Sequence, residues 1–105
     1  YMARTSYPGA TVSDRSAEAG SHLGEGGTDG GAPPTTFGSV TRPQELGGGG
    51  WYAWGGGAIR ITASTLDLEG VIRANGGEQL DTYYNYAAGA GGSVWITVDD
   101  LVGPV

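Results

Sequence analysis

Two stretches of the chain alternate apolar and polar residues with the period of a strand that is buried on one side. In Ala58-Ile59-Arg60-Ile61-Thr62-Ala63 the period puts Ile59, Ile61 and Ala63 on one face and Arg60 and Thr62 on the other. In Ser93-Val94-Trp95-Ile96-Thr97-Val98 it turns Val94, Ile96 and Val98 inward and Trp95 and Thr97 outward. Superposing Ile59 on Val94 and Ile61 on Ile96 also brings Thr62 onto Thr97 and Leu66 onto Leu101. The two strands are therefore copies of one element, in an internal repeat of about 35 residues. Glycines precede each copy, and a second apolar stretch follows each. In the first copy Leu66 and Leu68, then Ile72 and Ala74, suit inward positions on two short strands bent apart at Glu69-Gly70. The second copy repeats the bend at Leu101-Val102-Gly103-Pro104-Val105 and stops there. No helix is predicted, because Ser13 to Ala19, the one glycine-poor segment of helical composition, is too short to hold itself.

Short strands, glycine corners and this period predict an all-β fold in which strands coil rung on rung, a short parallel β-helix or solenoid with glycine-rich loops. The alternative is a small antiparallel β-sandwich or meander. One domain is expected, in three segments: an N-terminal stretch 1–19, a glycine-rich loop region 20–57 packed on the solenoid, and the repeat strands 58–105. The middle segment holds 14 glycines in 38 residues, together with Pro33, Pro34 and Pro43. Such a tract loses much entropy on ordering and offers few side chains to bury. The start at Tyr1 and the second repeat cut mid-strand read as a piece of something longer.

Composition narrows the function. Leu, Ile, Val and Phe make up only 18 of 105 residues, so the three Trp and six Tyr weigh heavily in any core or surface. Glycine, at 22 residues, has no strict third-residue period, which excludes collagen. Eleven acidic residues against five arginines and no lysine give a net charge of −6, the wrong sign for a nucleic-acid partner. The absence of cysteine excludes disulfides, thiolate metal clusters and thiol nucleophiles. No apolar run is long enough for a membrane helix, so membrane insertion is not expected.

The runs Gly55-Gly56-Gly57-Ala58-Ile59-Arg60-Ile61, Leu66-Asp67-Leu68-Glu69-Gly70-Val71-Ile72-Arg73-Ala74-Asn75-Gly76-Gly77 and Gly91-Gly92-Ser93-Val94-Trp95-Ile96 resemble the glycine-rich repeats of large secreted and cell-surface, adhesin-like proteins. Ser21 to Gly27, Phe37 to Val40, Pro43 and Gly47 to Gly50 are similar to the segment that often precedes those repeats. The resemblance implies a right-handed parallel β-helix and a role as an extracellular adhesin, matrix or filament building block. It implies no catalytic residues. Asp81 to Tyr86, with three tyrosines, stands where such repeats usually carry glycine and serine.

Few residues suggest chemistry. His22 is the one histidine, with Ser21 or Ser16 and Asp14 or Asp29 as triad partners, but a glycine tract is a poor holder for a base and a nucleophile. The chain therefore reads as no enzyme. Calcium is the one conceivable cofactor, through Asp29 in Gly24-Glu25-Gly26-Gly27-Thr28-Asp29 or the adjacent Asp99 and Asp100, since hard cations take several oxygens from a pliable loop. The first run departs from the G-G-x-G-x-D calcium repeat at Glu25. The aromatic sets Trp51, Tyr52, Trp54 and Tyr83, Tyr84, Tyr86 lie about one repeat apart, with Trp95 following, and suit a core, a subunit interface or a sugar-stacking platform.

An open-ended stack leaves unpaired backbone at its ends. The partner expected from the sequence is a further copy or the rest of a longer chain, joined head to tail. The rival function is a carbohydrate-binding surface module, calcium-assisted or not, that uses the aromatic sets.

Overall fold

The computed structural model describes residues 1–9, 19–28, 32, 34–78 and 87–104. Two strands are present among them, β1 (Ala58–Asp67) and β2 (Ser93–Val102), and no helix. The strands pair in parallel as one open two-stranded sheet. Ile59 lies beside Val94, Ile61 beside Ile96, Thr62 beside Thr97 and Leu66 beside Leu101. This register coincides with the superposition of the two copies, so sequence repeat and strand pairing express one offset. Ile59, Ile61 and Ala63 are half-buried between exposed Arg60 and Thr62, as the alternation requires. Val94 and Ile96, on the same face of β2, stay 38% and 36% exposed, so nothing fully covers the apolar side of the sheet.

The buried centre lies elsewhere and contains almost no side chains. Among the described residues Gly47 to Gly50 are all buried, Ala53 and Pro34 are the buried apolar residues, and Ser21 is the largest fully buried side chain. The amides of the glycine tract bond outward in three directions. Gly47 N–H donates to Gly56 O and Gly50 N–H to Ala53 O, both at 2.9 Å, so donors three residues apart reach one segment. Between them Gly48 N–H donates to Ser21 O at 3.0 Å and Gly49 N–H to Thr5 O at 2.9 Å, on two other segments. The stretch 89–92 repeats the rule: Gly89 and Gly92 donate to Gly77 O and Ala74 O on one neighbour, while Ala90 donates to Gly48 O.

A β-strand turns its backbone groups to two sides, whereas an extended helix with three residues per turn turns them to three and makes no internal bonds. The tract therefore forms a bundle of extended, three-fold segments cross-linked by backbone hydrogen bonds. Such a bundle needs glycine for close approach. A Cβ on Gly48 would overlap the carbonyl oxygen of Ser21, one on Gly55 that of Gly47, and one on Gly92 that of Gly57.

These observations correct the predicted fold. Among the described residues there is neither a coil of stacked rungs nor a second sheet, so the parallel β-helix is absent. The antiparallel sandwich is absent too, because the one sheet is parallel. The physical cause lies after β1. Leu68 N–H still bonds to Val102 O at 2.8 Å, but 71–78 forms no strand. Ala74 O instead accepts from Gly92 N–H at 2.7 Å, and Gly77 N–H donates to Trp54 O at 2.6 Å. The segment expected to supply the second strand of a rung is drawn into the glycine bundle, where its backbone groups are satisfied.

Candidate functional site

Serine hydroxyls fasten the bundle. Ser21 Oγ donates to Pro34 O at 2.8 Å and accepts from Gly26 N–H at 2.9 Å, and Ser93 Oγ donates to Glu45 O at 2.7 Å. Next to Ser21, His22 is 7% exposed, and its Nδ1 lies 3.0 Å from Gly91 O. A carbonyl can only accept, so Nδ1 carries the hydrogen. The imidazole packs 5.2 Å from the ring of Phe37, which also meets Tyr7 in a stack at 5.5 Å and Tyr1 edge-on at 6.0 Å. Gly38, at φ 101°, lets the backbone pass so close to this imidazole that a Cβ would sit 2.7 Å from Nε2. His22 thus holds the corner where three segments meet, and the Ser21 hydroxyl is occupied on both sides. Asp14, Ser16 and Asp29, the other triad candidates, lie outside the described residues.

The aromatic candidates divide into three groups. Trp51 and Tyr52 meet edge to face at 6.2 Å, and the Arg4 guanidinium lies 3.5 Å from the centre of the Trp51 ring and 5.6 Å from that of Tyr52. Arg4 reaches this position from a left-handed backbone, φ 59°, and its N–H donates to Gly50 O at 3.0 Å. Trp54 is 71% exposed and Tyr52 59% exposed, so neither ring fills the core. Trp95 is on the sheet, half-buried beneath Arg60, its register partner, at 4.5 Å. Tyr83, Tyr84 and Tyr86 lie outside the described residues. Arg4 and the cluster around Phe37 had no counterpart in the sequence reading: each joins residues far apart in the chain, and neither follows a periodic pattern.

Asp99 and Asp100 are exposed near the end of β2. Among the described residues no three His, Cys, Asp or Glu side chains converge as a metal site, and Asp29 is not among them. Beyond the end of the sheet, Leu68, Leu101, Val102, Gly103 and Pro104 line a shallow apolar hollow of about 310 Å³. Among the described residues no helix is long and apolar enough to cross a membrane. Compared with protein-family models, with curated proteins and with solved structures, the chain matches none.

Ser93 N–H bonds to Gly57 O at one end and Leu68 N–H to Val102 O at the other, and along their outer edges neither strand bonds to any other described segment. An edge of this kind is a template for another strand.

Proposed function

We propose that the protein is an extracellular structural or adhesive building block that assembles with further copies of itself. The observation that carries this reading is a parallel pair of repeat-related strands whose outer edges pair with no other described segment, with an incompletely covered apolar face. Leu101 and Val102, exposed at 66% and 50%, leave further apolar surface uncovered at the end of β2. The glycine bundle supports the same reading, because backbone hydrogen bonds between short segments make a stiff spacer from residues that offer no catalytic groups. The extracellular placement rests on the resemblance to glycine-rich repeats of secreted proteins. Sedimentation velocity across a dilution series, with circular dichroism on the same samples, tests the reading. Oligomers that dissociate on dilution are expected, and a monomer at every concentration overturns the proposal.

A second reading, a carbohydrate-binding surface, is favoured by the exposure of Trp54 and Tyr52. Its test is quenching of tryptophan fluorescence by oligosaccharides, with and without calcium. A flat response across neutral and acidic glycans removes it.

A further inference from the structure

We infer that the outer edge of β2 receives β1 of a second copy, in parallel and in the register that already joins β1 to β2. This rests on the assembly reading above and specifies its contact. Because β2 is a copy of β1, the free edge of β2 has the sequence pattern of the β1 edge that is already paired. The free edge of β1 likewise has the pattern of the paired edge of β2. One chain therefore carries both halves of a contact whose geometry it already displays internally. Such a contact is heterologous and leads to open chains of copies.

Backbone direction agrees. The Ser93 N–H bond to Gly57 O turns the backbone groups of Ser93 toward β1. Over the first part of the strand alternate residues turn theirs to opposite sides, so Trp95 and Thr97 also face β1 while Val94 and Ile96 face outward; the phase shifts beyond Val98, where the paired register skips Ser64 and Asp99 and Val102 O again faces β1. On β1 the matching outward residues are Arg60 and Thr62. With Ile61 of the second copy beside Ile96, the Ile96 amide and carbonyl fall between Arg60 and Thr62 of that copy. The parallel ladder requires this placement.

Side chains are compatible with the same register. Continuing the observed pairs, Ile59 of the second copy lies beside Val94, Arg60 beside Trp95, Thr65 beside Asp100 and Asp67 beside Val102. No like charges meet, and the apolar row runs on across the junction. A slide of two residues is the smallest that keeps the apolar residues on one face. In one direction it sets Asp67 of the second copy beside Asp100, a like-charge pair that opposes it.

The test uses the absence of cysteine from the chain. Thr62→Cys and Thr97→Cys proteins, both changed at exposed sites, are mixed in equal amounts and oxidised under assembling conditions. Adjacent strands lie about 4.8 Å apart, within disulfide reach. The expected product is the mixed 62–97 dimer, several-fold above the share that random collision gives. Links of 62 to 62 or 97 to 97 in preference, or a random mixture, overturn the inference. In parallel, Thr62→Pro removes an outward N–H while leaving the internal ladder intact, so assembly is lost and the β signal kept. Assembly of Thr62→Pro at the wild-type concentration also overturns it. Wild-type assembly without the 62–97 link refutes this contact and leaves the proposed function standing, whereas absence of wild-type assembly refutes both.

Discussion

Replacing Gly48 by alanine tests whether the core is held by backbone contact. Gly48 has no positive φ, so alanine is conformationally acceptable there. By restricting the unfolded chain, that change alone stabilises a protein by about 0.4–1 kcal/mol. The bundle reverses the sign. The new Cβ would overlap the Ser21 carbonyl oxygen and lie 3.3 Å from both Ser21 N and Ser6 Oγ. The Ser21 carbonyl would have to retreat by about 1 Å to restore contact distance. That displacement breaks the Gly48 N–H bond to Ser21 O and strains the Ala90 N–H bond to Gly48 O, now 3.0 and 2.9 Å. Each buried group left unsatisfied costs about 1–3 kcal/mol. After the gain from the unfolded state, Gly48→Ala should destabilise by about 2–4 kcal/mol and lower Tm by about 10 °C or more. Gly57→Ala is the control, since nothing lies within 4 Å of its added Cβ. Thermal melts of both variants, followed by circular dichroism and tryptophan fluorescence, provide the comparison. A Gly48→Ala melt that coincides with or exceeds that of Gly57→Ala refutes the backbone-packed core.

Ser21→Ala strips partners from Pro34 O and Gly26 N–H and should cost about 2–3 kcal/mol in urea denaturation, whereas Ser39→Ala, at an exposed hydroxyl, should cost under about 1 kcal/mol. Equal midpoints for the two would show that the Ser21 bonds do not fasten the bundle. A double-mutant cycle with Arg4→Ala and Trp51→Leu should return a coupling of about 0.5–1 kcal/mol, and additivity would remove the cation–π contact. Because Arg4 sits at φ 59°, Arg4→Gly should melt above Arg4→Ala by the equivalent of about 1 kcal/mol.

The strands and their register were legible because side chains wrote them. Ile59, Ile61, Val94 and Ile96 carry a period of two, and the match of Thr62 with Thr97 and Leu66 with Leu101 fixes one offset, which the pairing then uses. The glycine bundle left no such trace. Hydrophobic periodicity reports which side chains face inward, and Gly47 to Gly50 have none to report. The solenoid expectation failed at the same point, since Leu68, Ile72 and Ala74 fit inward strand positions by pattern. The competing demand came from the amides of Gly77 and Gly92, which bring 74–77 into the bundle. Of the candidate site, Trp51, Tyr52 and Trp54 stand together in the sequence, but the arginine above the first two comes from residue 4, a partner that no local spacing could indicate.

A centre built from peptide groups changes how stability responds to temperature. The heat capacity of unfolding is positive in ordinary domains because melting exposes apolar surface, while exposing peptide groups contributes with the opposite sign. Here Ala53 and Pro34 are the buried apolar residues among those described, and the buried glycine amides take the place of leucines and valines. The heat-capacity increment should therefore fall below the usual value of about 12–15 cal/mol/K per residue. A small increment flattens the curve of free energy against temperature. It also removes much of the weakening that cooling brings to an oil-like core. The stability of the fold should therefore vary little from near freezing to warm conditions.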